Sequence, residues 1–277
     1  MTEQLHVFVE QTIAQGVGAR VFPLRWAGRR IWVKQAVPPK EKGWHRLQRL
    51  IATLTRIPML RPTVSPGGKA GLASEAEIIH ALTKAGVLVP DLLAVTDNWI
   101  AIGDNGAILQ TVISDAVKAG DEDRVAELIA KAGAALADLH SSGFTHGAPL
   151  LRNMTIRDDG RIGFIDFEED PNKRMPLPDA QARDVLLFLF SIQRGFKRRT
   201  DLLRAGWRAY LVVTGMTAPQ MKPLSHIVGV IRPVYIALKP FRRWLGTDAI
   251  NAMLAYGILR RSLRGKDAPQ DVSPVAR

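Results

Sequence analysis

The sequence predicts an α+β chain, and three observations carry that prediction. Short apolar alternations at residues 20–36, and again between Leu93 and Ile113, read as strands. One helix separates those two groups. After Asp121 nearly every segment places its apolar residues at helical spacing, apart from two short strands within the stretch 145–170. Strands, a helix, more strands and then a mostly helical half set a natural boundary near Ile113–Lys118.

The elements follow in order. Residues 20–36, RVFPLRWAGRRIWVKQA, read as two strands joined at Ala27-Gly28. Residues 37–71 form a basic, proline-bearing insertion. Within it Trp44, Leu47, Leu50, Ile51 and Leu54 keep helical spacing beside Arg46, Arg49 and Arg56. That stretch fits an amphipathic helix on a membrane, or equally one packed on its own domain. Ser74 to Ala85 reads as a helix capped by Ser74 and ended by Gly86. Strands are expected at Leu93–Val95, Trp99–Ile102 and Ala107–Ile113. Asp121 to His140 is a long helix with an apolar stripe of Val125, Leu128, Ile129, Ala132, Ala135, Leu136 and Leu139. Ile156 and Ile162–Ile165 are two short strands around Asp158-Asp159-Gly160. Helices are expected over Asp179–Ile192, Thr200–Val213, Leu224–Phe241 and Thr247–Leu263, the third bent or broken by Pro233 and Pro240. Residues 267–277 read as a disordered tail.

Composition narrows the chemistry. There is no cysteine among 277 residues, which removes disulfides, thiolate metal sites and cysteine nucleophiles together. No basic leader, long apolar run or spanning segment is evident, so the sequence predicts a soluble or peripheral cytoplasmic protein. The formal charge is +12. From Ser191 to Lys266 there are 15 Lys/Arg and 2 Asp/Glu, so the excess belongs to the C-terminal helices. Such a field suits an anionic membrane surface or an acidic ligand; the plainer reading is a solvated basic face. No nucleic-acid motif accompanies it, which ranks nucleic acid low as a partner.

The stretch Thr145 to Asp170, THGAPLLRNMTIRDDGRIGFIDFEED, carries the functional reading. Preceded by Leu139-His140 and Gly143-Phe144, it resembles the catalytic region of the protein-kinase-like superfamily, a likeness that runs from about Arg20 to Ile192. His146 to Asn153 keeps the spacing of the loop H-x-D-x-x-x-x-N, and Asp166-Phe167 stands where D-F-G is expected, with Glu168 replacing the glycine. The resemblance implies a two-lobed kinase-like fold, with a small strand-rich N-lobe over 1–113 and a helical C-lobe over 114–266. It implies ATP and magnesium as cofactors, with Asn153 and Asp166 as metal ligands. Magnesium takes hard oxygen donors, so one carboxylate, one amide oxygen and phosphate oxygens would suit it.

The same likeness implies further roles. Lys34, after Ile31-Trp32-Val33, would contact the nucleotide phosphates, paired with a helical glutamate. Glu75 and Glu77 point to different faces, and Glu75 shares the inward face with Ile78, Ile79 and Leu82. Gly16 and Gly18 would supply a phosphate-binding loop between strands. Gln110 and Val112 would fall in the segment that reads adenine. His146 and Asp184 would be structural supports of the catalytic loop. Ala148 occupies the place of the aspartate base, and a positioned base contributes roughly 10²–10⁴-fold. Glu168, Glu169 and Asp170 are candidate substitutes; Arg152 could touch the transferring phosphate. Within the superfamily the chain looks like bacterial lipopolysaccharide kinases, the heptose and Kdo kinase group with its InaA-like relatives. That implies phosphorylation of an envelope sugar or glycolipid at the inner face of the inner membrane. The loss at Ala148 sets against it a pseudokinase, a nucleotide-binding or inert regulatory module at the membrane.

Overall fold

A computed structural model describes residues 2–16, 19–36, 67–196, 199–241, 244 and 246–264. The chain has a mixed α+β architecture. A strand-rich N-terminal region is followed by a helix-rich C-terminal region, in a loosely two-lobed arrangement.

The N-terminal region is built on one antiparallel sheet of order β1-β2-β4-β3: β1 Val21–Trp26, β2 Arg29–Gln35, β3 Leu92–Val95 and β4 Trp99–Gly103. The turn between β1 and β2 is Ala27-Gly28, with φ of 48° and 77°, as a tight hairpin of the right twist requires. Helix α1, Thr2–Ala14, covers one face. Its Leu5 and Val9 pack on Phe22, Ile31, Val33, Trp99 and Ala101. Side chains alternate along β2, so Ile31 and Val33 face α1 while Trp32 and Lys34 face the opposite side. Helix α2, Gly68–Lys84, lies against β3 and β4 and buries Leu72, Glu75, Ala76, Ile79 and Leu82.

Gly103 to Gly106 leads out of the sheet into a second, three-stranded one, β5 Ala107–Ile108, β6 Met154–Ile156 and β7 Ile162–Phe164. Helices α3 Leu109–Ala119 and α4 Glu122–Ser141 stand between β5 and β6 in the chain. The helical region continues with α5 Leu177–Gly195, α6 Thr200–Thr214, α7 Met221–Leu238 and α8 Thr247–Ser262. Its core joins Leu128, Ile129, Leu136, Val185, Phe188, Leu203 and Trp207.

Several expectations need correction. The strand expected over Ala107–Ile113 ends at Ile108, because Leu109 and Ile113, both fully buried, face the core at helical spacing on α3. The helix expected to start at Ser74 starts at Gly68, so Ser74 is interior and its hydroxyl accepts from Lys173 Nζ at 3.0 Å. Pro233 does not break α7; it falls beyond Val228, where exposed Gly229 can turn its unpaired carbonyl to water. Helix α1 has no counterpart among the expected elements. The amphipathic stretch Trp44–Leu54 and the tail 267–277 lie outside the described residues.

Helices α4 and α6 make the closest helix contact, at Gly133 and Gly206. A Cβ built on Gly133 would run into the backbone of Gly206. Gly133→Ala is therefore expected to destabilise by about 1–3 kcal/mol through overpacking, although alanine favours helices by about 1 kcal/mol over glycine. Urea denaturation measures this; a stabilised variant would mean the helices do not meet there.

Candidate active site

Lys34 is the centre of the site. Its strand turns it away from α1 and into the molecule, where it is only 4% exposed. A buried ammonium needs partners. Glu75 Oε2, from α2, stands 2.7 Å from Lys34 Nζ, Asp166 Oδ1 3.0 Å and Glu168 Oε1 2.6 Å. Arg20 Nη2 reaches the same Glu168 oxygen at 2.6 Å. Glu77 is exposed on the other face of α2. Burial alone would lower the lysine's pKa; the three carboxylates outweigh it and hold the ammonium charged. Burial raises the carboxyl of Glu75, against the pull of Lys34. For Asp166 burial also pushes upward, but Lys34 and a hydrogen bond with Glu168 prevail and the carboxyl lies below its usual range.

Asp166 lies two residues beyond the end of β7 and has φ of +70°, a left-handed conformation that side chains rarely adopt. Aspartate tolerates it better than most residues, and such strain clusters at functional positions. Its side chain remains 46% exposed, turned to the cavity. Asn153 ends a single 3₁₀ turn, Leu151–Asn153, just before β6. Its Nδ2 donates to the Ala148 carbonyl at 3.0 Å, which fixes the amide with its oxygen on the other side. The Asn153 carbonyl accepts from Ile165 N at 3.0 Å, tying it to the residue before Asp166.

The loop 146–148 is held from below. Asp184, fully buried on α5, accepts from His146 N at 2.7 Å and Gly147 N at 3.0 Å. His140 Nε2 lies 3.4 Å from the same carboxylate, and His140 Nδ1 lies 2.7 Å from the Tyr210 hydroxyl. Gln220 Nε2 donates to that hydroxyl at 2.8 Å, so the tyrosine proton points to Nδ1 and the histidine carries its own on Nε2. Gly147 has φ of +89°, and an added Cβ would come within 2.5 Å of the Glu169 carbonyl, so only glycine fits. His146 stacks on Phe167 at 4.7 Å, and burial holds its ring neutral.

These residues border a cavity of about 680 Å³, within the ~300–1,000 Å³ typical of small-molecule sites. Lys34, Glu75, Asn153, Asp166 and Glu168 line one end, Trp32, Pro90, Ile102 and Ile108 the walls, and Asp104–Gly106 the rim. A larger groove of about 880 Å³ lies beside Asp179, Lys222 and His226, but none of those ionisable groups is buried.

Other expected residues are placed elsewhere. Gly16 sits in the turn that ends α1, not between strands, and does not border the cavity; Gly18 lies outside the described residues. Arg20 and Arg30 line the wall instead. Gln110 is exposed on α3 and Val112 packs against the core, because the chain has already turned into a helix there. The rim is the preceding segment, 104–106. Of the candidate bases, Glu168 is engaged by Lys34 and Arg20, Glu169 by Arg183 at 3.0 Å, and Asp170 accepts from Asn172 N at 3.2 Å. Arg152 is exposed. Arg183, which sequence reading did not single out, also donates to the Gly147 carbonyl. Neither it nor Arg20 carries a local signal, since their partners are distant in sequence.

The fold and the site define an α+β chain with a buried lysine–carboxylate centre at the end of a cavity. No family model matches the chain. It is 26% identical over 259 residues to an uncharacterized protein of Haemophilus influenzae, covering 93% of this chain and 97% of that one. The similarity therefore includes the C-terminal helices as well as the cavity.

Proposed function

We propose that the chain is an ATP- and magnesium-dependent phosphotransferase of kinase-like architecture, acting on a hydroxyl of an envelope sugar or glycolipid. The observation that carries this reading is Lys34, paired with buried Glu75 and 3.0 Å from Asp166, at the end of a cavity of nucleotide size. Phosphoryl transfer needs little more from a protein than positioning and charge neutralisation. Among the described residues no group of three or more His, Cys, Asp or Glu is arranged to hold a metal ion. Magnesium does not require one, since it keeps waters and phosphate oxygens as ligands. Asp166 and the Asn153 amide oxygen fit it as the two protein donors. Magnesium held there would neutralise charge developing on the phosphates. Lys34 would bind the α- and β-phosphates, and the backbone of 104–106 would border the base.

Ala148 favours a second reading, a pseudokinase that binds nucleotide without turnover. Glu168 supports it too, because its carboxylate occupies Lys34 at 2.6 Å. An ATP titration with and without magnesium tests the site. Wild type is expected to bind only with magnesium, and Asp166→Asn to lose that magnesium-dependent binding. No binding by wild type would remove the kinase reading and leave at most an inert module. Ala148→Asp then separates them: a gain of about 10²-fold or more in transfer to envelope extracts would mean that the wild type lacks its base.

A further inference from the structure

Helix α7 packs one face on the domain and leaves the other open. Up to Val228 it is anchored by Met221, Leu224 and Ile227. Beyond that point, among the described residues of the helix, Ile231 and Tyr235 keep partial cover, the Tyr235 ring 4.6 Å from that of Tyr256. Val230, Val234 and Ile236 are exposed, and so is Phe241 after the helix; Trp244 is 83% exposed and its ring lies 6.0 Å from that of Phe241. Exposed apolar side chains scattered singly need no explanation. Here they are concentrated on the open side of one helix end and finish in an aromatic pair.

Charge indicates what such an end would meet. Between Met221 and Trp244 the sequence has five Lys/Arg and no Asp or Glu. A second copy of this chain would bring like charge to like charge. Tryptophan beside basic residues is the composition of an interfacial anchor, with the ring at headgroup depth and the cations on anionic lipid. No helix among the described residues is long and apolar enough to cross a membrane, so the contact is with a surface.

We propose that the open face at the end of α7, with Phe241 and Trp244 beyond it, docks the protein on an anionic lipid bilayer. This does not rest on the phosphotransferase reading, and its test uses no nucleotide. The full chain is sedimented with vesicles of phosphatidylcholine alone, or of phosphatidylcholine and phosphatidylglycerol in equal parts. Binding is expected only to the anionic vesicles and should weaken with salt. Each basic residue at such a surface contributes about fivefold. Arg232→Glu with Lys239→Glu is therefore expected to weaken binding by at least about 25-fold. Phe241→Ser with Trp244→Ser should also release the protein, and all four positions are exposed, so melting should not change. Lipids brominated on their acyl chains should quench tryptophan emission in wild type, and Trp244→Phe should remove that quenching while binding persists. Equal binding to neutral vesicles, unchanged binding by both double variants, tighter binding to an oligonucleotide at matched salt, or self-association abolished by the same variants without vesicle binding would each overturn the proposal.

Discussion

Asp184→Ala is expected to lower the unfolding free energy by about 3–5 kcal/mol. The carboxylate is fully buried and accepts from two consecutive backbone donors, His146 N and Gly147 N, with His140 Nε2 close by. Removing it leaves two buried N–H groups without partners, each costing about 1–3 kcal/mol. The damage should spread along the chain of polar contacts. His140 loses the carboxylate that faces its Nε2 proton, and through Tyr210 and Gln220 the loss reaches α6 and the start of α7. Asp184→Asn keeps one acceptor oxygen and should lose less than half as much. Urea denaturation followed by circular dichroism measures both. An alanine variant within about 1 kcal/mol of wild type, the size of an ordinary substitution, would mean that the loop 146–148 is held by something else. A stable but loosened loop would also release Asn153, whose side chain is fixed by the Ala148 carbonyl.

Legibility in the sequence followed the range of each interaction. Asp184 stands out because an acid opening the apolar run VLLFLF must have buried partners. Glu75 is separable from Glu77 because helical geometry gives them different faces, and only Glu75 is buried. The strands around Ala27-Gly28 and around Asp158-Asp159-Gly160 are local and were readable. Leu109 to Ile113 was not, since a short apolar run fits either period and the choice depended on what it packs against. Helix α1 offers only Leu5 and Val9 as fully buried residues, too narrow a stripe to mark it. The pairing of Arg20 with Glu168 spans 148 positions, and nothing local announces it. The glycines at 16 and 18 suggested a loop by composition, yet Gly16 ends a helix, a role the same conformational freedom serves.

Lys34→Met is expected to cost about 3–5 kcal/mol near neutral pH and to steepen the pH dependence. The methionine fills much the same space but leaves Glu75, 2% exposed, without its ammonium partner. In wild type Lys34 stays charged across the neutral range. Its pKa is raised on folding, so its contribution is complete below about 10.4, the unfolded value, and is lost only at more alkaline pH. Glu75 acts with the same sign in the variant, but in a lower pH window. Burial already raises its carboxyl, and without Lys34 it rises further. A folded pKa above the unfolded one, about 4.3, means that the folded state holds more protons in the window between them. Stability of the variant should therefore increase as pH falls through that window, more steeply than in wild type. Asp166 adds to the contrast. Its lowered carboxyl costs wild type stability as pH falls toward that folded value, and this acid-side loss should shrink once Lys34 is gone. Adding Glu75→Gln to Lys34→Met removes the group that must be protonated, so the double variant should recover part of the loss and show no such pH slope. The two substitutions touch one ion pair and should be strongly non-additive. A Lys34→Met protein with wild-type stability and an unchanged pH profile would mean that the ammonium and carboxylate are not buried together, and the centre of the site as drawn would be wrong.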